Sequence, residues 1–230
     1  MDDKRWFYVD IPLMFYEEAR ALQLEMVSAR RQAIIDRNVI LSLEHPSVFT
    51  LGRRGERNHL KVTEAFLNAK RVPIVHVERG GDITYHGPGQ LVVYPIIDLG
   101  KAHLRVHDYV TALEEVMIRS AGDFGIKSGR DPRNRGVWVG NNKLGSVGIA
   151  IRHGISFHGF AFNVNLNLEP FTWIHPCGLQ EVGMTSLEKE LSKRVPMSEV
   201  RDSIRSHMEA VFRFKTDPIT LGHLQALLQK

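Results

Sequence analysis

The stretch GVWVGNNKLGSVGIAIRHGISFHGFAFNV, residues 136–164, is the part of the sequence that most clearly indicates the fold. It contains three apolar runs of strand length, at 136–139, 144–151 and 155–164, which are rich in β-branched and aromatic residues. Asn141 and Asn142 separate the first two runs and predict the turn of a hairpin, and the third run continues the sheet. The middle of the chain is therefore predicted to be an antiparallel arrangement of strands.

Shorter apolar runs precede this stretch and have the same strand character. Gly, Pro and Asn separate them. They lie at residues 5–11, 39–43, 48–51, 72–77 and 91–97.

Helical periodicity occurs at both ends of the chain and once between the strands. The first helix is expected to start at Pro12 and to bury a face at three- and four-residue spacings. A second helix is expected over 106–124, a third after a Ser198 cap, and a last one over about 220–228. The expected buried positions are Phe15, Ala19, Leu22 and Met26 in the first helix, and Val200, Ile204, Met208 and Val211 in the third.

Strands dominate the middle and helices flank it, without regular strand and helix alternation. This order predicts an α/β chain of the α+β type, with a mixed, largely antiparallel sheet and flanking helices. Residues 1–230 are expected to form a single domain with a helical C-terminal subregion from about residue 185.

Composition narrows the class of protein. Apolar residues make up 43% and charged residues 24% of the 230 residues, and no run approaches the roughly 18 apolar residues of a membrane helix. The charged start of the chain lacks a secretion signal, so a cytoplasmic location is expected, with no membrane partner. A formal charge of +4 is too small to indicate nucleic acid.

Basic residues are concentrated in two short segments, at 53–71 and 130–135. Solvated loops are the plain interpretation of such segments, and docking of an acidic protein is the sharper one.

A glycine-rich segment follows one of the predicted strands. Residues 79–90, RGGDITYHGPGQ, contain four glycines and one proline. Such a segment brings backbone close to a ligand or makes a tight crossover. It matches neither a GxxxxGK[ST] phosphate loop nor a GxGxxG fingerprint.

Cys177 is the only cysteine, so it cannot form an internal disulfide. Alone, it could be a buried filler, half of an intermolecular bridge, a metal ligand or a nucleophile. Lys143 is either an exposed charge at a strand edge or, if it points into a cleft near the thiol, a group that favours the thiolate. His158 is either a hydrogen-bonded core histidine or a proton carrier. His86, His158, His175 and Cys177 could also supply zinc ligands, but no metal-site spacing is present and no metal is predicted.

Together these segments resemble the lipoyl(octanoyl) transferases, a branch of the lipoate-protein ligase and biotin-protein ligase superfamily. The resemblance covers about residues 40–190 in the family's order. It is carried by EHP at 44–46, LGRRG at 51–55, RGGDITYHGPGQL at 79–91, YP at 94–95, GVWV at 136–139, KLGSVG at 143–148, SFHGFAFNVN at 156–165, PCGL at 176–179 and TSL at 185–187.

The resemblance implies a lipoate/biotin-protein ligase-like fold and an acyl transfer. Cys177 is implied to carry the acyl group as a thioester, Lys143 to lower the pKa of its thiol, and His158 or His86 to support the proton transfers. Gly145 stands where the family often has alanine; this departure leaves the implied role of Lys143 intact and leaves the local shape of the acyl pocket open. The implied substrate-binding residues are Arg79, Gly80, Gly81, Asp82, Ile83, Thr84, Tyr85, His86, Ser146, Val147, Gly148, Gly159, Phe160 and Ala161.

The family's reaction also implies the partners. Octanoyl-acyl carrier protein would be the donor, and lipoyl domains of 2-oxoacid dehydrogenase complexes and the glycine cleavage H protein would be the acceptors. No cofactor is expected, because converting a thioester into an amide is downhill. An ATP-dependent lipoate-protein ligase, a cysteine thioesterase and a non-catalytic lipoyl-binding module are the alternatives.

Overall fold

A computed structural model describes residues 5–132, 134–174 and 182–229. In chain order its elements are β1 (Arg5–Ile11), α1 (Tyr16–Arg31), β2 (Val39–Leu43), β3 (Val48–Leu51), α2 (Glu64–Ala69), β4 (Ile74–His76), β5 (Ile83–His86), β6 (Gln90–Ile96), α3 (Val106–Asp123), β7 (Gly129–Asp131), β8 (Asn134–Val139), β9 (Asn142–Arg152), β10 (Ile155–Asn163), β11 (Gly183–Met184), α4 (Leu187–Leu191), α5 (Met197–Phe212), β12 (Lys215–Pro218) and α6 (Leu221–Leu228).

The main sheet confirms the mixed, largely antiparallel prediction. Within the described ranges it has nine strands in the order β12-β1-β2-β6-β10-β9-β8-β7, with β11 paired to β9. The pairs from β2 to β7 are antiparallel, and the pairs β12–β1, β1–β2 and β11–β9 are parallel. Helices α3 and α5 cover one face of this sheet, and α1 and α6 cover the other.

The predicted hairpin is present, but its turn lies one residue earlier than predicted. Val139 of β8 pairs with Asn142 of β9, so Gly140 and Asn141 form the turn. Gly140 has a φ of 55°, a left-handed conformation that suits glycine better than the asparagines of the predicted turn. Lys143 is therefore already the second residue of β9.

Helix α1 starts at Tyr16 and not at Pro12. The backbone of Phe15 is extended, and the Met14 amide bonds to the Glu44 carbonyl at 3.0 Å, which holds this segment against the end of β2. Phe15 is consequently 64% exposed, and the prediction that it belongs to the buried face is wrong. Tyr16 takes its place in the interior.

A second, smaller sheet carries the glycine-rich segment. Its order is β4-β3-β5, with β3 antiparallel to β5 and parallel to β4. Residues 83–86 of the glycine-rich segment are therefore strand and not loop. Strand β4 covers only 74–76 of the predicted run at 72–77, and these are the residues that pair with β3.

The C-terminal elements pack onto the rest of the chain. Helix α5 starts at Met197, so Ser198 lies inside the helix and does not cap it. Val200, Ile204 and Met208 are buried, whereas Val211 is only half-buried. Strand β12 then pairs with β1, and this pairing supports the single-domain proposal.

No helix in the described part of the chain is both long and apolar enough to cross a membrane.

Candidate active site

A cavity of about 810 Å³ lies between the main sheet and the smaller sheet. Its floor is the face of β9, β10 and β6 that is turned towards α1, and its roof is the glycine-rich segment. The floor carries small side chains, with Ser146 opposite Ala161 and Gly148 opposite Gly159. A sheet face with so little side-chain volume leaves room for a ligand.

Lys143 points into this cavity because β9 contains a bulge. Val137 pairs with Gly145 but Trp138 pairs with Lys143, so Leu144 is one extra residue in β9. Leu144 and Gly145 both pack on the α3 side, which leaves Lys143 on the cavity face with Ser146. Such bulges commonly redirect a side chain at an active site.

The lysine is held by its neighbours on β8. Its Nζ donates to Asn134 Oδ1 at 3.0 Å and lies 5.3 Å from the centroid of the Trp138 ring. Gly136 provides the space for the stem, because a Cβ at this position would lie 2.6 Å from Lys143 Cε and 2.3 Å from the Gly145 carbonyl oxygen. Lys143 itself is only 8% exposed.

Cys177 lies outside the described residues. Among the described residues that flank it, Ile174 bridges to Leu60 and Val182 lines the cavity. Met184 then pairs with Lys143, and the Thr185 amide donates to the Lys143 carbonyl at 3.0 Å.

Arg79 is the anchor of the glycine-rich segment. Its Nη2 donates to the Thr50 carbonyl at 2.7 Å and to Thr50 Oγ1 at 2.8 Å, which ties the segment to β3. The following amide, of Gly80, donates to the Ile149 carbonyl at 2.9 Å and so joins the smaller sheet to β9. Gly81 has a φ of 88° and accepts a hydrogen bond from the Arg54 amide.

Asp82 is a buried residue of the roof and connects the roof to the basic segment at 53–71. Its Oδ1 lies 2.8 Å from His59 Nδ1 and accepts the Ile83 amide at 2.6 Å.

The structure brings nearly all the described residues of the predicted site together around this one cavity. Tyr85 is the exception among them. Its ring packs against Phe49 and Phe171, and its hydroxyl bonds to Ser47 at 2.8 Å, on the side of β5 away from the cavity. The predicted residues that do line the cavity are Lys143, Arg79, Gly80, Gly81, Asp82, Ile83, Thr84, His86, Ser146, Val147, Gly148, His158, Gly159, Phe160 and Ala161.

His86 begins a chain of hydrogen bonds that leads towards Lys143. Its Nδ1 lies 2.7 Å from Gln90 Oε1, Gln90 donates to Asn163 at 2.9 Å, and Asn163 donates to the Thr185 carbonyl at 2.9 Å. Burial, with His45 close by, holds the pKa of His86 well below its ordinary value. The imidazole is therefore neutral at neutral pH, and it lines the cavity.

His158 has an unusual backbone for a strand residue. Its φ is 56°, and its amide donates to Gln23 of α1 at 2.7 Å. This conformation turns the ring towards α1, where Nδ1 lies 3.5 Å from the Tyr16 hydroxyl. Burial and the charge of Arg79 lower the pKa of His158 to about 4.

Three further residues at this end of the cavity were not found by sequence reasoning. His45 Nδ1 donates to the Met14 carbonyl at 2.7 Å, and its Nε2 accepts from the Tyr94 hydroxyl at 2.7 Å. Tyr16 packs against the His45 ring at a centroid distance of 5.0 Å. The EHP and YP motifs contain His45 and Tyr94, so a signal existed for these two residues; Tyr16 had none.

Gly145 faces away from the cavity, so its departure from alanine does not change the shape of the cavity. A Cβ at this position would lie 2.5 Å from Met117 Sδ and 3.3 Å from the Phe162 ring, on the α3 side of the sheet. The departure from alanine is therefore matched by the bulk of Met117.

Arginines surround the exposed end of the cavity, but their environments differ. Arg130 and Arg135 form ion pairs with the buried carboxylate of Glu114 at 3.2 and 3.3 Å, and Arg130 also pairs with Glu115 at 2.8 Å, so their positive charge is partly neutralised. Arg54 also lines the cavity, and Arg53 beside it is exposed. Arg133 lies outside the described residues.

The residues described here contain no cluster of three or more His, Cys, Asp or Glu side chains that could hold a metal ion.

Similar folds occur in solved structures of protein ligases. A lipoate-protein ligase A bound with ATP has a TM-score of 0.76 at 13% identity, covering 97% of this chain and 93% of that one. A biotin protein ligase from Aquifex aeolicus has a TM-score of 0.53 at 12% identity, covering 91% and 69%. The fold is therefore that of the lipoate and biotin protein ligases, as the sequence predicted.

Sequence comparison places the chain more narrowly. Residues 16–209 match the family model described as Lipoyl protein ligase A/B catalytic domain. An Octanoyltransferase of Desulfotalea psychrophila is 50% identical, covering 90% of this chain and 93% of that protein. An Octanoyltransferase of Syntrophobacter fumaroxidans is 46% identical, covering 98% of each. The chain belongs to the lipoyl protein ligase A/B catalytic domain family, among its octanoyltransferases, and is an acyltransferase.

Proposed function

We propose that this acyltransferase moves an octanoyl group from acyl carrier protein to a lysine of a lipoyl domain, through a thioester on Cys177. The observation that carries the proposal is the placement of Lys143. This buried cation lies in a cavity with a small-residue floor, and it pairs with the strand that leads out of the cysteine segment.

The first half-reaction transfers the acyl group to the enzyme. The Cys177 thiolate, favoured by the Lys143 ammonium, attacks the thioester carbonyl of the donor. A new sulfur–carbon bond forms, the donor's sulfur–carbon bond breaks, and the carrier leaves as a thiol after taking up the proton that Cys177 gave up.

The second half-reaction transfers the acyl group to the acceptor. The neutral ε-amine of the lipoyl-domain lysine attacks the acyl-enzyme, the carbon–nitrogen bond forms, the sulfur–carbon bond breaks, and Cys177 leaves as a thiolate. The proton lost by the amine returns to the sulfur through Lys143, with His86 or His158 in support. The reaction consumes no ATP and needs no cofactor, because the thioester is already an activated acyl group.

Backbone amides are the proposed donors to the carbonyl oxygen in both steps. The Gly80 amide is not among them, because it already donates to the Ile149 carbonyl. Amides beside Cys177 remain the proposed donors.

The basic segment at 53–57 gives the donor a docking surface. Acyl carrier protein is acidic, and Arg53 and Arg54 are exposed at the edge of the cavity. Arg57 contributes less than the sequence suggested, because it forms an ion pair with Glu64. The acceptors proposed for the second step are lipoyl domains of 2-oxoacid dehydrogenase complexes and the H protein. A cytoplasmic location for the reaction stays a prediction.

Product analysis separates this reaction from its alternatives. With octanoyl-acyl carrier protein and a lipoyl domain, the enzyme should form an octanoyl-lysine amide without ATP. Amide formation from free octanoate and ATP alone would indicate a ligase, and release of free octanoate as the main product would indicate a thioesterase. Binding of the lipoyl domain without any product would indicate a non-catalytic module.

A further inference from the structure

The cavity floor is built in rows that run across the strands. Ser146, Ala161 and Val92 stand side by side on β9, β10 and β6, because Ala161 pairs with both of the others. In the next row Gly148 pairs with Gly159, and Tyr94 follows at the same level because Val93 pairs with Phe160. Each row lies two residues along the strands from the previous one, which is about 6.7 Å.

The floor stops at the second row. The residues of the third row, Phe157 and Ile96 among them, are covered by α1 and belong to the buried core on that face. They do not line the cavity, whereas Tyr16 and His158 do. The first residue of α1 therefore forms the inner wall.

Tyr16 fills the centre of this wall. Its ring lies 5.7 Å from the His86 ring and 5.0 Å from the His45 ring, and its hydroxyl lies 3.5 Å from His158 Nδ1. The side chain is held on three sides and is only 5% exposed. Such a ring acts as a fixed stop and not as a movable gate.

The ring side chains of the wall are uncharged at neutral pH, and the Glu78 carboxylate, 3.6 Å from His158 Nε2, does not line the cavity. Burial raises the pKa of Tyr16 to about 12, lowers the pKa of His158 to about 4 and holds the pKa of His86 well below its ordinary value. Aromatic faces and neutral imidazoles can contact the end of an alkyl chain without desolvating a charge.

The distance to the wall limits the length of the ligand. From the level of Lys143 to the second row is two row steps, about 13 Å. An extended alkyl chain advances about 1.3 Å per carbon, given carbon–carbon bonds near 1.5 Å. Around ten carbons therefore fit between the reacting carbonyl and the wall.

We propose that Tyr16 closes the acyl chamber and sets the longest acyl chain that the enzyme accepts, at about ten carbons. This inference rests on the proposed function, because it takes the acyl carbonyl to lie beside Lys143. Tyr16, at the start of α1, is then a specificity-determining residue, because it limits the length of the acyl chain that fits in the cavity.

The test is a competition among acyl carrier proteins loaded with saturated chains of six to fourteen carbons, read as the mass of the acyl-enzyme. The wild type should accept chains up to about ten carbons and exclude those of twelve and fourteen. Tyr16→Ala should raise the amount of the twelve-carbon adduct relative to the eight-carbon adduct about tenfold. This ratio corresponds to the transfer free energy of two methylene groups. Tyr16→Phe keeps the ring and should keep the wild-type profile.

Ala161→Val should shorten the preferred acyl chain, and it leaves Tyr16 and the rest of the wall unchanged. It narrows the first row of the floor and should shift the preference towards six carbons. An acyl-enzyme profile that is unchanged in both Tyr16→Ala and Ala161→Val would overturn the proposal, as would a Tyr16→Phe profile like that of Tyr16→Ala.

A binding measurement separates this proposal from the proposed function. Calorimetry with Cys177→Ser should show tighter binding of free octanoate than of free dodecanoate. Adding Tyr16→Ala to Cys177→Ser should reduce this difference in affinity. If no acyl donor of any chain length acylates the wild type but dodecanoate still binds more weakly than octanoate, the thioester mechanism is wrong and the role of Tyr16 as the end of the chamber is retained. If acylation proceeds but calorimetry shows equal affinity for both acids in Cys177→Ser, the stop is wrong.

Discussion

Lys143 occupies the cavity because a glycine stands beside it. Gly136 has a φ of 133°, and its missing side chain leaves the space through which the lysine stem passes. The resemblance named Lys143 from its motif alone, but the role of Gly136 depends on a contact between two strands. No local pattern indicates it.

Gly136→Ala should displace Lys143 and lower the rate of acylation strongly. The new methyl group would overlap both Lys143 Cε and the Gly145 carbonyl, and the backbone strain should cost about 1–3 kcal/mol of unfolding free energy. Gly129→Ala is the matched control, because a Cβ there meets nothing within 4 Å. Equal acylation rates in the two variants would contradict this role for Gly136.

The sequence identified the residues that lie in continuous motifs and missed those that act through tertiary contacts. Ser146, Gly148 and Ala161 were predicted because they belong to strands with a family pattern. Tyr16 was missed because the helical pattern began four residues too early, at Pro12, and placed Phe15 inside. The backbone bond from Met14 to Glu44, which delays the helix, is not encoded in helical periodicity.

At the scale of elements, the smaller sheet holds the roof of the cavity in place. The glycine-rich segment was predicted as a loop, yet part of it pairs with β3, and Thr50 of β3 binds the Arg79 guanidinium through both its carbonyl and its hydroxyl. The run ITYH, residues 83–86, is too short for its alternation of apolar and polar residues to predict a strand. The long strands β6, β9 and β10 were predicted within two residues at each end, because their apolar runs are continuous.

Thr50→Val should weaken this element. It keeps the shape of the side chain but removes the hydroxyl acceptor of Arg79, so the unfolding free energy should fall by about 1–3 kcal/mol and acylation should slow. Thr111→Val is the control, because the buried Thr111 hydroxyl has no hydrogen-bond partner within the described residues and its loss should be neutral or stabilising. A Thr50→Val enzyme as stable and active as the control would show that β3 does not hold the roof.

At the scale of the whole molecule, the buried histidines tie stability to pH. His45 and His158 have pKa values near 4 in the folded protein, against 6.5 for an ordinary histidine. Between these values the unfolded chain binds protons that the folded chain does not. The unfolding free energy should therefore be constant above about pH 6.5 and fall as the pH drops towards 4, by up to about 3 kcal/mol for each histidine.

Urea unfolding from pH 7 to pH 4.5 measures this dependence. His45→Gln should show a shallower fall than the wild type, because one titrating group is removed. His223→Gln changes an exposed histidine of α6 and should keep the wild-type slope. A His45→Gln slope identical to that of His223→Gln would contradict the prediction.

Charge at the edge of the cavity should make donor use depend on salt. Raising the salt concentration from about 50 to about 300 mM shortens the screening length and should lower kcat/KM for the acyl carrier donor. Arg53→Gln should reduce both the rate at low salt and its salt dependence, whereas Lys101→Gln, an exposed lysine that does not line the cavity, should change neither. A kcat/KM that is insensitive to salt would exclude electrostatic steering.

Intact mass spectrometry shows whether Cys177 carries the acyl group with Lys143 beside it. After incubation with octanoyl-acyl carrier protein alone, the wild type should gain the mass of one octanoyl group, Lys143→Ala should gain it much more slowly, and Cys177→Ser should show no thioester adduct. Two results would contradict a thioester intermediate on Cys177. One is a wild type that transfers the octanoyl group to a lipoyl domain but is never modified itself, and the other is an adduct that persists in Cys177→Ser.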